Sequence, residues 1–555
     1  MFTLSLLAQC VASLKGWRSF VLAVGVGALA SCAMAPFHLW VALIVAVPVL
    51  VWMLDGVTLG KTGVSSKWQV MARSFGVGWA FGFGFFLAGL YWVGHSFLVE
   101  AERYFWLMPF AVVLLPSWLA VFTGLASALT RCFLWVVGPR RTLALAAVWA
   151  AFEWLRGYGP FGFPWNLTGQ TLGGEVVLMQ MLSVVGVYGA GLLVFGLAAS
   201  PSTLCDPRLE EDSLESTPSS KVWWPVVWFA LFAGWGVWGA DRLGQSVVAE
   251  VNPLTVRIVQ PNVLQEEKWQ AHRQEEFLMR LLAMTQQSSA LPEGVIPSVI
   301  IWPEVAITGL LSERPALQSI LGASLQKTSV LLTGSLYRQG GYYYNSLFVL
   351  NHGGSIIARY DKRHLVPFGE YLPARDVFKA IGLKALAQQR GDFASGEGDV
   401  LMTLSSPTPD VPNVPTFRPL ICYEIIFPEA IHPTADRASW LLNITNDGWF
   451  GTSTGPWQHL DQARFRAVEQ GVPVIRAANT GISVVIDAEG RILENLPLNT
   501  QDIIDAPLPP ARKSTLYGRW GDSLFFALLI GFVLIALPGC RASQALNPLI
   551  KRERI

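Results

Sequence analysis

The chain has 555 residues, of which 52% are hydrophobic and only 14% charged, and its net charge is +1. Soluble domains carry roughly 25% charged residues, so the deficit points to a membrane protein. The balanced charge excludes a chain recruited by a global field, and with no basic, aromatic-interleaved tract it predicts no nucleic-acid partner.

Lys15 and Arg18 precede a run from Phe20 to Leu54 that lacks Asp, Glu, Lys and Arg. That is too long for a cleavable leader and long enough for two spanning helices of about 20 residues, broken at Ala35-Pro36-Phe37-His38. Further spans are predicted over 74–99, 104–130, 142–155, 176–200, 222–240 and, after a long polar insert, 523–538, giving eight. Lys61, Lys67, Arg73, Arg131, Arg140, Arg141, Arg541, Lys551, Arg552 and Arg554 then fall on one side with Lys15 and Arg18. The positive-inside rule makes that side cytoplasmic, although the loop Asp206–Glu215 is acidic. Seven helices before the insert place it outside the cytoplasm. Glu153 and Arg156 sit near the end of the fifth span, so they are candidates for pairing or for holding a lipid head group; Trp154, Tyr158 and Trp165 fit an interfacial anchor equally well. His38 and His95, also near span ends, read as interfacial.

The chain divides into a transmembrane region 1–248, an insert 249–515 and a closing helix with its tail, 516–555. Short apolar or β-branched runs mark strands in the insert at 254–259, 299–301, 329–332, 346–350, 420–422, 440–445, 472–476 and 483–486, with hairpin-like stretches at 342–350 and 353–359. Helical windows at 275–284, 316–325 and 457–470 lie between them. Strands alternating with helices predict one α/β sandwich. Residues 376–393, with Val377, Phe378, Ile381, Leu383 and Leu386 among basic residues, are amphipathic and fit an arm dipping into the interface or an ordinary surface helix.

Three places in the insert bring reactive groups to the ends of apolar runs: Trp302-Pro303-Glu304, then Tyr360-Asp361-Lys362 with His364 and Glu370, and Cys422-Tyr423-Glu424. Of the six cysteines, Cys10, Cys32, Cys132, Cys205 and Cys540 lie in or beside the hydrophobic part. Cys422 therefore has no disulfide partner in its domain. No His/Cys cluster has zinc spacing, so neither a metal nor another cofactor is expected. A thiol needs a base before it attacks, a role for Glu304. Lys362 can stabilise the oxyanion, helped by a backbone N–H beside the cysteine, and Glu370 can hold that lysine. A Cys–His pair with His364 is the lesser alternative. Taken singly, the cysteine reads as a small buried hydrophobe, the glutamate as a turn residue and the lysine as a solvated charge.

Together, Trp302-Pro-Glu304, Asp361-Lys362, Cys422-Tyr-Glu424 and Asn446-Asp-Gly-Trp-Phe-Gly451 resemble the carbon–nitrogen hydrolase (nitrilase) superfamily. With the membrane frame, the chain resembles its membrane-bound branch, the bacterial apolipoprotein N-acyltransferases. Local matches run through Ala35–Trp40, Tyr91-Trp-Val93, Glu153–Gly157, Gly162–Trp165, Gln260-Pro-Asn262 with Lys268-Trp269, His364–Glu370 and Gly455–His459. The resemblance implies an αββα sandwich with a Glu304, Lys362, Cys422 catalytic set, supported by Glu370, Glu424 and Tyr423. It implies that Trp269, Trp449 and Asn446 line the substrate path. Asn446-Asp447-Gly448-Trp449 replaces the more usual alanine of that motif with glycine.

The implied reaction is ping-pong acyl transfer. A phospholipid gives its acyl chain to Cys422, and the α-amino group of a diacylglyceryl-cysteine at an apolipoprotein N-terminus then takes it. The expected partners are therefore a phospholipid donor, the apolipoprotein acceptor and the bilayer, with the chain a monomer in the inner membrane and its catalytic domain on the periplasmic side. A membrane-tethered amidase would use the same three residues, and an inert lipid-binding or transport protein would not need Cys422.

Overall fold

The computed structural model describes residues 2–57, 66–134, 138–159, 162–205, 219–245, 254–288, 295–373, 375–376, 392–398, 400–404, 413–431 and 437–537. The arm expected within 376–393 lies almost wholly outside the described residues, as do the acidic loop near Asp206 and Cys540.

Short turns aside, the membrane-type helices are α1 (Phe2–Ser13), α2 (Trp17–Ser31), α3 (Val41–Asp55), α4 (Lys67–Gly89), α5 (Met108–Leu129), α6 (Arg140–Tyr158), α7 (Leu182–Ala199) and α8 (Ser219–Gly244). Each of the first seven expected spans is helical, and α1 is an extra helix ahead of them. The third expected span, 74–99, is corrected: α4 begins earlier, at a capping box made by Ser66 and Gln69, and stops at Gly89. A 3₁₀ segment, Tyr91–Phe97, follows it and turns the chain toward the insert. By length and hydropathy four helical stretches can cross a membrane, namely Lys67–Gly89, Ala101–Leu134, Leu182–Leu204 and Val222–Gly244. The other apolar helices are shorter. Large apolar side chains face outward along them, among them Trp68, Leu114, Trp118 and Val237, as a lipid solvent requires.

The insert is built of two sheets. The strands are β1 (Thr255–Gln260), β2 (Val299–Ile301), β3 (Ile307–Leu310), β4 (Val330–Gln339), β5 (Tyr342–Leu350), β6 (Ile356–Asp361), β7 (Met402–Leu404), β8 (Val414–Ile421), β9 (Trp440–Thr445), β10 (Val474–Ala478), β11 (Ser483–Ile486), β12 (Ile492–Leu496) and β13 (Asp502–Pro507). The first sheet runs β13-β1-β2-β4-β5-β6, with β3 beside β4, and the second runs β12-β11-β10-β9-β8-β7. In each sheet the central strands are parallel: β1, β2 and β4 in one, β8, β9 and β10 in the other. They are largely buried on both faces, with β2, Val299-Ile300-Ile301, wholly apolar, because each sheet is covered on both sides.

Three layers of apolar contact make the sandwich. Between the sheets pack Ile258, Ile301, Leu332, Val349, Phe417, Leu442, Ile475 and Val485. Helices α9 (Gln274–Gln286) and α10 (Pro315–Ala323) cover the outer face of the first sheet through Leu281, Leu321 and neighbours. Helix α11 (Gly455–Gln470) lies over the outer face of the second. It starts at Gly455-Pro456, with proline in the first turn where a missing N–H is harmless, and ends on Gly471 in the left-handed region.

The core beneath α11 does not stop at the insert. Leu460, Ala463 and Val468 belong to the same buried cluster as Val187, Leu192 and Phe525 of the membrane region. Helix α7 is kinked at Gly186, whose φ of 64° and close approach to the Tyr517 ring exclude a side chain. The kink frees the Val187 N–H, which donates to Glu469 Oε1 of α11 at 2.9 Å. Gln458 of α11 accepts from Trp92 Nε1 at 3.1 Å and Trp165 Nε1 at 2.8 Å, and donates to Gly89 O at 3.2 Å. After β13 the chain returns to the membrane region as α12 (Ser523–Ala536), the last of the expected helices.

Candidate active site

Glu304, Lys362 and Cys422 each stand just beyond the C-terminal end of a strand: β2, β6 and β8. The fold brings all three together and buries them, at 7%, 1% and 7% exposure. The sequence expectation put Cys422 on the strand itself. It is instead the first residue of a 3₁₀ turn, Cys422–Ile426. Its φ is 51°, a left-handed conformation that a side-chain-bearing residue holds only when its surroundings enforce it.

Glu304 leaves β2 through Trp302, whose Nε1 donates to Thr285 Oγ1 of α9 at 2.9 Å. Its Oε1 accepts from Asn345 Nδ2 at 2.8 Å and faces Lys362 Nζ at 3.4 Å. Lys362 Nζ donates to Glu370 Oε1 at 2.9 Å. Glu370 is itself fixed by the Val366 N–H to Oε2 at 2.8 Å and by Asn345 Nδ2 to Oε1 at 3.0 Å. Burial alone would lower the Lys362 ammonium, but Glu370 and Glu304 outweigh it and hold it well above its ordinary value. It is a permanent cation.

The thiol has the opposite bias. Burial, and then the Glu304 charge, push Cys422 up to about 12, against the pull of Lys362 and of a hydrogen bond from Thr445. At neutral pH the group rests as a thiol, so its reaction needs a base at hand.

Glu424 does not reach the thiol chemistry. Its Oε1 accepts from Tyr360 Oη at 2.8 Å and from the Arg363 and His364 N–H groups at 2.8 and 3.2 Å, while Oε2 accepts from the Ile421 N–H at 2.7 Å. It thereby ties the end of β6 to the end of β8. Tyr423 donates its hydroxyl to Gly162 O, 3.2 Å away in the membrane region. Asn446 is buried, donating to Gln265 Oε1 at 2.6 Å and accepting from Asn479 Nδ2 at 3.1 Å. It anchors the loop that carries Trp269, which is half exposed. Trp449 accepts at its carbonyl from Ser96 Oγ at 3.2 Å.

His364 stacks on Phe427 at 4.5 Å between ring centroids, not on Cys422. Glu153 and Arg156 do not turn to a common partner. Glu153 accepts from the Thr168 N–H and hydroxyl at 2.9 and 2.8 Å, and Arg156 donates to the carbonyls of Phe163 and Trp165 at 2.6 and 2.8 Å. Both shape the loop after α6.

Four contributors were given no role by the sequence, although Lys268 and His459 lie within its family matches. Asn345 faces both acids from β5. Lys268 Nζ donates to Glu304 O at 3.0 Å, and burial pulls its ammonium down to about 8. His459 of α11 lies with Nε2 3.2 Å from Cys422 O and Nδ1 2.9 Å from Asp447 Oδ1. Arg476 Nη2 donates to Asp447 Oδ2 at 2.6 Å. Burial opposes the Asp447 charge, but Arg476 and His459 win and hold its carboxyl well below the usual range. The one trace of His459 in the sequence is the Gly455–His459 match at a helix start.

A cavity of about 220 Å³ opens behind the Glu304 loop, lined by Val263, Phe277, Leu281, Ile307 and Lys268. None of the three clustered residues lines it.

The arrangement fits attack by a sulfur on an acyl carbon: a carboxylate for the proton and a fixed cation for the oxyanion, both buried beside the thiol. Residues 255–515 match the family described as Carbon-nitrogen hydrolase, and residues 26–200 match the Apolipoprotein N-acyltransferase N-terminal domain. Among curated proteins the chain is similar to the apolipoprotein N-acyltransferase of Rhodopseudomonas palustris, 40% identical over 96% of this chain and 97% of that protein. That of Bradyrhizobium diazoefficiens is 38% identical over 94% and 95%. That of Brucella melitensis is 37% identical over 92% and 94%. With both family regions in order and full-length relatives at this identity, the chain belongs to the apolipoprotein N-acyltransferase family.

Proposed function

We propose that this protein moves a fatty acyl chain from a phospholipid, through a thioester on Cys422, to the α-amino group of the S-diacylglyceryl-cysteine at an apolipoprotein N-terminus. The observation that carries the reading is the buried Cys422 flanked by Glu304 and Lys362, in a sandwich whose core is continuous with apolar helices. Lipoprotein acylation needs that continuity, because donor and acceptor both arrive with their tails in a bilayer.

Glu304 takes the thiol proton as sulfur attacks the ester carbonyl. Lys362 Nζ and a backbone N–H beside Cys422 carry the oxyanion. The C–O bond breaks, and the lysophospholipid leaves with the proton returned by Glu304. The acceptor amine then attacks the thioester carbonyl. A C–N bond forms, the C–S bond breaks, and the amine proton passes to Glu304 and on to the departing thiolate. Glu370 keeps Lys362 in place, Glu424 and Tyr423 hold the nucleophile turn, and Trp269, Trp449 and Asn446 border the substrate path.

Eight helices, from α2 to α8 and then α12, cross the inner membrane, dividing the chain into 1–248, 249–515 and 516–555. The catalytic domain faces the periplasm, and the protein acts as a monomer. The test is the acceptor: purified protein, phospholipid and a diacylglyceryl-cysteine peptide should yield N-acylated peptide and lysophospholipid in equal amounts. Release of free fatty acid alone, with the peptide unchanged, would contradict the reading.

A further inference from the structure

His459, Asp447 and Arg476 are buried together beneath Cys422, and none of them takes part in the proton transfers described above. They meet the nucleophile at one point, the Cys422 carbonyl, where His459 Nε2 stands 3.2 Å away. A carbonyl only accepts, so Nε2 carries the hydrogen. Nδ1 has both an acceptor and a donor beside it, Asp447 Oδ1 at 2.9 Å and Arg476 Nη2 at 3.1 Å, and is served in either charge state of the ring. Asp447 is fixed in turn by Arg476 and by Thr445 Oγ1 at 3.1 Å, and Arg476 also donates to Asn443 Oδ1. The imidazole therefore has one orientation.

In a trans peptide the C=O and N–H point in opposite directions. The Cys422 carbonyl points to α11, which covers the outer face of the second sheet. The Tyr423 N–H of the same peptide then points to the other side, from which the first sheet delivers Glu304 and Lys362. That N–H opens a 3₁₀ turn, so it has no partner within the turn.

We infer that His459 is a positioning residue: by donating to the Cys422 carbonyl it locks the Cys422–Tyr423 peptide so that the Tyr423 N–H serves as oxyanion donor opposite Lys362. Glu424, on the Ile421 N–H, holds the turn from one end; His459 holds it at the cysteine. The inference rests on the thioester reading of Cys422.

The test compares two buried isosteres. A glutamine amide nitrogen reaches the place of Nε2, while that of asparagine reaches only the place of Nδ1. His459→Gln should keep kcat within about tenfold of the parent enzyme. His459→Asn should lose about 100-fold or more in kcat with little change in KM, the loss that follows removal of one oxyanion donor. Alkylation of Cys422 by iodoacetamide forms no tetrahedral oxyanion, so its rate should be unaffected in His459→Asn while the rate of acyl-Cys422 formation, read by mass spectrometry, collapses. Equal losses in the two variants, or alkylation falling in step with acylation, would overturn the positioning role. If the parent enzyme forms no acyl-Cys422 at all, the thioester reading fails and this inference fails with it.

Discussion

The two sheets of the catalytic domain contribute unlike things to one site. The first supplies charge, Glu304 after β2 and Lys362 after β6 with Glu370 close behind, and the Asn345 amide of β5 that bridges the two acids. Its outer face is covered by α9 and α10 through a core of its own. The second supplies the thiol on a strained turn, backed by the buried Asp447–His459–Arg476 group, and its outer core runs without a break into the membrane region. The difference teaches how a fold shared with the carbon–nitrogen hydrolases can serve a lipid reaction. The charged half keeps a self-contained scaffold, and the nucleophile half is the one built into the membrane part, through Gln458, Glu469 and Tyr423.

The sharpest way to break this division is to remove one contribution at a time. Cys422→Ala should lower acyl transfer by about 10⁴-fold or more, because groups that act as a unit fail together. The melting temperature should be nearly unchanged, since the change is from a thiol to a methyl. Glu304→Gln keeps the shape and removes the base. Turnover should fall by about 10²–10⁴-fold, with Cys422 alkylation at neutral pH slowed as well, because the thiol rests protonated with a pKa near 12.

Glu424→Gln tests the tie between the halves. Its carboxylate takes donors from the first sheet at Oε1 and from the second at Oε2, and an amide offers only one acceptor oxygen. Thermal unfolding should show a loss of about 1–3 kcal/mol, and turnover should fall along with it. Lys268 gives an effect confined to alkaline pH. Its folded pKa, about 8, lies below the ordinary lysine value, so the unfolded chain binds more protons between about pH 8 and 10.5 and stability rises with pH there. The parent protein should gain roughly 3 kcal/mol relative to Lys268→Met across that window, read as the difference between the two in denaturant midpoints. A flat difference would mean that Lys268 keeps its ordinary lysine value in the folded protein.

Most of the charged half was legible from sequence because its residues follow short apolar runs and fall in family motifs. Glu304 and Lys362 were found that way, and so was Cys422 of the other half. The helices were legible too, from uncharged length alone, although the end of α4 was not, because Tyr91–Phe97 is as apolar as a span. The backing of the nucleophile was not legible. Asn443, Asp447, His459 and Arg476 come from three separate stretches, and only the parallel pairing of β8, β9 and β10 brings them beneath one carbonyl. Asn345 was hidden for a similar reason, since a lone asparagine in a strand carries no period. Strand β12 was missed because it is short and mostly exposed, with Ile492 and Leu493 facing out beside Glu494 and Asn495.

The most direct test of acyl transfer through Cys422 is a mass spectrum of the purified protein after exposure to a phospholipid of defined chain length. The expected result is the mass of that acyl chain on the peptide containing Cys422, released by hydroxylamine, lost on adding a diacylglyceryl-cysteine peptide and absent in Cys422→Ala. A protein that converts donor and acceptor to product while Cys422 stays unmodified, or that works as well in Cys422→Ala, would contradict it.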